Sequence, residues 1–529
     1  MRYGGARTAA QLAFLPERTG DGGAPTDAPS SDPIDGAIDR KLARIECAPA
    51  GEIDDSGFLR RVHLLTIGAL PTPDETRRFL ASKETDKRVK LVASLVGRPE
   101  FAEFWALKWA DLLRNETKTM GAKGAWALQR WLVEQTAADL PLDRFAAELV
   151  AGRGSTWANP PASFHRTNRD PTICAESVGQ VFLGYRIQCA RCHNHPFDQW
   201  TQDDYYGFAA CFASVKRKPR DEFRKDKLDV HEINGDEIIY VAGPAEIAQP
   251  TSGRRLSAKP LGGALPPAAA GEQDELDRTA AWLGKDPQFA RNFANRAWYH
   301  LFGRGVVDPP DDFRGSNPPV NAELLEALRS ELVGNGMRLR PLLVRILGGK
   351  AFSRSAATGG GAHPLGEANF ASFTVRPMNA EALLDALTQV LEANEEFRRT
   401  PEGTRAAGLP GSGGESPFLK AFGKPDRLLS CDCERNPATT LSQALQMMNG
   451  ESLRRKLLVK RNRIGRLLET GTKPDAMLEE LTLAALCRFP TPSEKAAALA
   501  LVKDAKNPRE AWEDVAWSIV NSKEFLLIR

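Results

Sequence analysis

Absences narrow this chain before any motif does. No run of apolar residues approaches the roughly 18 that cross a bilayer, so no transmembrane segment is expected. Neither sign of charge is in excess: 71 Lys and Arg stand against 68 Asp and Glu, a net +3. That balance lacks the concentrated positive field of a nucleic-acid binder, so nucleic acid is not an expected partner. GxSxG, HExxH and a phosphate-cradling glycine loop are missing as well. The opening MRYGGARTAAQLAFLPER has no apolar core of signal-peptide length. Histidine is scarce, with 7 in 529 residues, and His63, His231, His300 and His363 stand alone. What is present in quantity is apolar: 42% hydrophobic residues suffice for two to four globular domains at this length.

Against that background QCARCHNHPFDQWTQDDYY, Gln188 to Tyr206, stands out. Cys189 and Cys192 are two residues apart and His193 follows at once, the spacing that attaches a c-type haem through two thioethers with the histidine as proximal iron ligand. With 8 Cys and 7 His in the chain, composition alone predicts on the order of 10⁻³ such pentads. A redox dithiol would leave His193 without a role and would need a strand-then-helix setting. A zinc or other thiolate-metal site competes more strongly, because Cys431 and Cys433 in SCDCER form a second pair. Four cysteines complete a tetrahedral set, in which His193 or His195 can replace one.

Covalent haem c is assembled outside the cytoplasm. The motif therefore implies a periplasmic or cell-surface protein, and residues 20–36, GDGGAPTDAPSSDPIDG, read as a linker following an export signal upstream of Met1. The alternative is a cytoplasmic protein with a thiolate metal site. For the distal side of a haem the candidates by residue type are His195, His165, Met447 and Met448. His195 lies too close to His193 to reach the opposite face of the same iron, and Met447 and Met448 fit a helix core. Asp308, Asp311 and Asp312 in VVDPPDDF are most simply helix-capping and solvated acids rather than a cation or sugar site.

The remaining pattern is helical. Pro33 to Arg61 carries Ile38, Leu42 and Ile45, with a second entry at Phe58 to Leu65. Thr72, Pro73 and Glu75 make a capping-box helix start. A hairpin follows, its second arm running from Val89 through Phe101, Phe104, Trp105 and Trp109 to Leu112. The same start returns at Thr491, Pro492 and Glu494, and both copies end on a Glu-Phe pair, Glu100-Phe101 and Glu524-Phe525, so one helical-hairpin unit is expected at both ends. Trp126 to Val150 is one further amphipathic stretch. Asp170-Pro171 opens a helix whose face runs Val178, Val181, Phe182, Tyr185 and Cys189, putting the pentad at a helix C-terminus. Thr201 with Asp204 starts the next helix. KRKPRDEFRKDK from Lys216 reads as a solvated connector, DEIIYVA (Asp236 to Ala242) as the one convincing strand. A second helical body begins near Asp274, with a glycine-rich break at 359–361 and an irregular stretch from Gly403 to Pro417.

These segments together resemble the planctomycete cytochrome-c-like family in which two domains of unknown function occur in succession. The likeness rests on LLTIGALPTPDE, WALKWADLLR and FLGYRIQCARCHNHPFDQWTQDDYYGFAACFASV for the first domain, and on NFANRAWYHLFGRGVVDPPDDF, FGKPDRLLSCDCER and LSQALQMMNG for the second, from about residue 34 to 525. It implies secreted or surface proteins but brings no established reaction. The expected organisation is a disordered linker over 1–34, a helical cytochrome-c-like domain over 35–215, a connector with short strands over 216–273 and a second helical domain over 274–529. The fold expected is mainly α. The function expected is an exported haem c protein for electron transfer or a redox step, with a redox protein as partner; the alternative is a non-redox protein with a structural zinc site, associated with surface polysaccharide.

Overall fold

The structure is a computed structural model that describes residues 2–3, 6–7, 28–220, 235–268, 274–356, 365–398, 400–411, 416–435 and 440–529. Helix makes up 57% and strand 6%, so the expected mainly α fold forms. Much of that follows from local sequence. The helices Pro33–Arg44, Pro73–Ala81, Pro99–Leu112, Pro171–Val178, Pro287–Phe302, Pro492–Lys503 and Pro508–Val520 all open on proline, whose fixed φ suits the first helical position. Thr72 with Glu75, and Thr491 with Glu494, form reciprocal capping boxes that satisfy orphan amides at the helix start.

Two continuous stretches break where proline intervenes. The arm beginning at Val89 ends with Lys87–Leu95, and Pro99–Leu112 is a separate helix. Arg98 is extended because the residue before a proline avoids helical backbone. Trp126 to Val150 likewise divides into Thr117–Ala137 and Leu142–Val150, interrupted before Leu142 by Pro141. The corner that closes the hairpin copies occurs a third time. Arg98, Gly349 and Ser522, with ψ of 150°, 159° and 148°, each redirect the chain so that the residue three positions on, Phe101, Phe352 or Phe525, is buried.

The expected strand forms as Glu237–Val241, antiparallel between Gly154–Ser155 and Val215–Pro219. This corrects the reading of the basic stretch as connector, since Lys216 to Pro219 pair with Tyr240 to Glu237. The rest of that stretch (221–234), residues 269–273, most of 1–34, His231, His363 and the break at 359–361 lie outside the described residues.

The two halves interleave. Pro33–Arg44 packs on Ala322–Gly334, Leu142–Val150 on Glu275–Lys285, and Pro73–Ala81 on Pro474–Leu486. Buried Arg60 and Arg61 donate to the backbone carbonyls of Phe525, Leu527 and Arg529, fastening the C-terminus to the Asp55–Thr66 helix. One connected apolar cluster runs from Ile34 to Ile528. The junction between the halves is therefore interior, and any charge placed there needs a partner.

Candidate functional site: a cysteine–histidine turn beside a buried charged junction

Asp170 caps the Pro171–Val178 helix by accepting from the Thr172 amide. The helix widens into a π-turn over Gly179–Leu183 and is stopped by Gly184 at φ 69°. Only glycine fits there: a Cβ would lie 2.6 Å from the Phe313 ring and 2.8 Å from Asn292 Oδ1. The expected face from Val178 to Cys189 therefore ends at Leu183. Cys189 sits instead in a separate 3₁₀ turn, Gln188–Arg191, beyond a loop.

The Gln202–Ala210 helix, started by the Thr201–Asp204 capping box, holds that turn in place. Gln202 Nε2 and the Tyr206 hydroxyl donate to the Arg191 carbonyl at 3.2 and 3.1 Å. The Gln202 amide donates to Asn194 Oδ1 at 3.0 Å, and the His195 amide to the Trp200 carbonyl at 2.8 Å. Held this way, Cys189, Cys192 and His193 all face solvent. Cys47, Cys174, Cys211 and Cys487 are buried, leaving Cys189 and Cys192 as the exposed free thiols. Burial pushes the Cys211 and Cys487 thiols up to about 12.

His193 Nδ1 lies 2.9 Å from the Asn194 carbonyl. That oxygen can only accept, so the proton is assigned to Nδ1 and the Nε2 lone pair is left free. His195 is buried, and its Nδ1 accepts from the Phe197 amide at 3.2 Å, which makes it a clamp on the turn. His165 is also buried, with Nε2 2.8 Å from the Val150 carbonyl; burial holds its pKa down at about 4. Met447 is buried and Met448 exposed.

Cys431 and Cys433 are joined to each other in a disulfide. In this form neither offers the thiolate that a shared four-cysteine site requires. Among the described residues no group of three His, Cys, Asp or Glu side chains gathers to hold a metal ion. Hydrogen bonds nevertheless connect the two cysteine pairs. Gln188 Nε2 donates to Gln180 Oε1 at 3.1 Å, the Gln180 carbonyl accepts from Arg296 at 3.0 Å, and Arg296 forms an ion pair with Asp432, the residue inside the disulfide loop. Asp311 steadies Gln180, accepting from its Nε2 at 2.6 Å and from Arg186 at 2.5 Å. Asp311 and Asp312 are thus not solvated caps: both are buried, and Asp312 pairs with Arg314 at 3.1 Å, whereas Asp308 is half-exposed and accepts from the Gly305 amide.

Around Asp432 lies a charged junction that sequence reasoning did not single out. Arg435 bridges the halves, pairing with Asp111 at 2.7 Å and with both oxygens of Glu381 at 2.8 and 3.0 Å. Arg427 also pairs with Asp111, at 2.9 Å. Burial opposes ionisation of Glu381, but Arg435 and Lys424 outweigh it and hold the carboxyl well below its usual range. His300 stands 3.8 Å from Asp432 and edge-on to Trp105. Burial, reinforced by Lys108, Arg296, Arg376 and Arg435, keeps its imidazole neutral, well below its ordinary pKa. Lys108 projects over the Phe104 and Trp105 rings, its Nζ 4.0 and 5.2 Å from their centroids. Burial, then Arg435 and Arg376, hold its ammonium at about 7. The available signal was on one helix: Lys108 and Asp111 interrupt the apolar face of Phe104 and Trp105 at three- and four-residue spacing.

No curated protein and no solved structure matches the chain. Residues 33–217 match the family model PSCyt2, a protein of unknown function (DUF1549), and residues 278–502 match PSD1, a protein of unknown function (DUF1553). The chain therefore carries these two domains of unknown function in succession, with the Cys189–His193 turn within the first matched range and the Cys431–Cys433 disulfide within the second.

Proposed function

We propose that the Cys189–His193 turn is a covalent attachment site for haem c, and that the chain serves electron transfer or a redox step in the periplasm or at the cell surface. The observation that carries this reading is the selection of thiols. The two exposed free cysteines of the chain are those of the pentad, in one turn with an imidazole whose Nδ1 is already occupied.

Cys189 and Cys192 would form the thioethers and His193 would ligate iron through Nε2. A haem bound there supplies one-electron transfer. The chain's own contribution is orientation. Donation from His193 Nδ1 to the Asn194 carbonyl fixes the tautomer and makes Nε2 a better donor. Gln202 and Tyr206 hold the backbone between the two cysteines in register. An exposed turn leaves a redox partner protein direct access, without a channel.

Expression of the chain behind an export signal in a haem-maturing host tests the reading. Haem absorbance should persist after denaturation, and Cys189→Ser with Cys192→Ser should abolish it. Absence of retained haem, with stoichiometric zinc copurifying instead, would overturn it in favour of a thiolate-metal site.

A further inference from the structure

Lys108 is costly to the fold unless something answers it. It is half-buried, and among the described residues it has no carboxylate within 4.0 Å and no hydrogen-bond acceptor. Arg376, also half-buried, donates among the described residues to the backbone carbonyls of His300 and Leu301, at 2.7 and 2.9 Å, and its buried Nε has no partner among them. Arg296 answers Asp432, while Arg427, Arg435 and Lys424 share Asp111 and Glu381. Asp311 is matched by Arg186. Cations thus outnumber carboxylates around His300, and among the described residues neither Lys108 nor Arg376 has a carboxylate within 4.0 Å. Unmatched charge in an interior is expensive, and a polar ligand is the usual reason for tolerating it.

We propose that the half-exposed cluster of Lys108, Arg376, His300 and Tyr299 at the domain junction binds a compact oxyanion, namely the carboxylate, sulfate or phosphate group of a small ligand. The cluster suits such a group. Lys108 supplies an ammonium with three donors, Arg376 the Nη1 end of a guanidinium whose Nη2 is already held by backbone carbonyls, and the aromatic rings of Trp105 and Tyr299 flank His300. Tyr299 stays protonated, because burial and Asp432 push its hydroxyl up to about 12, so it can donate as well. All four side chains are partly exposed, which gives a ligand a way in. This inference does not depend on haem at the Cys189–His193 turn.

Titration calorimetry on the full chain, with acetate, sulfate and inorganic phosphate at matched ionic strength and pH 6.5, tests it and ranks the three oxyanions. One of them should bind saturably, once per chain. Lys108→Gln should weaken that binding tenfold or more, while Lys108→Arg should hold it within a few-fold. For acetate or sulfate, affinity in the parent protein should fall as pH rises past 7 and should not fall in Lys108→Arg. A second readout separates ligand binding from a structural role: without ligand, Lys108→Met should melt at or above the parent temperature, since it removes an unanswered charge. No saturable binding of any of the three up to ~20 mM, equal binding by Lys108→Gln, or a lower melting temperature for Lys108→Met would each overturn the proposal.

Discussion

Replacing Arg435 by Met perturbs the junction at the side chain on which most of it depends. Arg435 reaches Asp111 on the Pro99–Leu112 helix and both carboxylate oxygens of Glu381 on the Ala380–Leu391 helix. Asp111 keeps Arg427 at 2.9 Å after the change, but Glu381, wholly buried, keeps only Lys424 at 4.0 Å. Removing one partner of a buried pair costs about 3–5 kcal/mol, because the other charge is left in the interior. The expected loss at pH 7 is therefore about that size, read as a lower denaturant midpoint. The pH dependence identifies its source. In the parent, Arg435 and Lys424 hold Glu381 below its ordinary 4.5, so its contribution is complete above pH 4.5 and is lost as pH falls beneath that value. In Arg435→Met the carboxyl is desolvated and poorly paired, so its pKa rises and acidification from 7 toward 5 should recover part of the deficit. Arg435→Met combined with Glu381→Met should recover most of it at pH 7. A single variant as stable as the parent, or a double variant no better than the single, would refute the argument.

Two further outcomes follow from single residues of the first half. Gly184→Ala should destabilise by about 1–3 kcal/mol, because the added Cβ meets Phe313 and Asn292 at a left-handed backbone position; a melting temperature equal to the parent's would show that the loop yields freely. His165 is held neutral by burial with a pKa near 4 against an ordinary 6.5, so the unfolded chain binds the proton first. Its contribution is complete above pH 6.5 and is lost as pH falls toward 4, by up to about 3 kcal/mol; His165→Gln should flatten the stability profile over that window, and an unchanged slope would place the proton uptake elsewhere.

Local chemistry was legible in the sequence wherever a short rule governs it. Thr72-Pro73-Asp74-Glu75 and Thr491-Pro492-Ser493-Glu494 announced their helices because a capping box involves only four residues. Glu237–Val241 was legible as a strand because its residues are β-branched and aromatic. Its neighbour Val215–Pro219 was not, because Lys216, Arg217 and Lys218 enter the sheet through backbone pairing that side-chain character does not advertise. The helix face carried on to Cys189 was misread because Gly184 ends the helix for a tertiary reason, the Phe313 ring pressed against it. The junction was invisible for a related cause: Lys108, His300, Arg376 and Arg435 lie far apart in sequence, and each looks ordinary where it stands.

The concentration of charge at that junction asks for an explanation beyond stability. Buried ion pairs are often no better for a fold than apolar residues of the same volume, and the surrounding core is apolar enough to have accommodated such residues. Where this chain uses buried arginine for architecture alone, as with Arg60 and Arg61, the guanidinium donates to backbone carbonyls and fastens the C-terminus. Around His300 the arrangement differs. Arg296 spends one nitrogen on the Gln180 carbonyl and another on Asp432, so a single side chain spans from the segment leading to Cys189 to the loop closed by Cys431 and Cys433. Among the described residues Lys108 beside it has no acid within 4.0 Å, whereas Arg376, like Arg60 and Arg61, donates to backbone carbonyls. A half-buried lysine left open beside these pairs is better accounted for by the proposed oxyanion ligand than by packing.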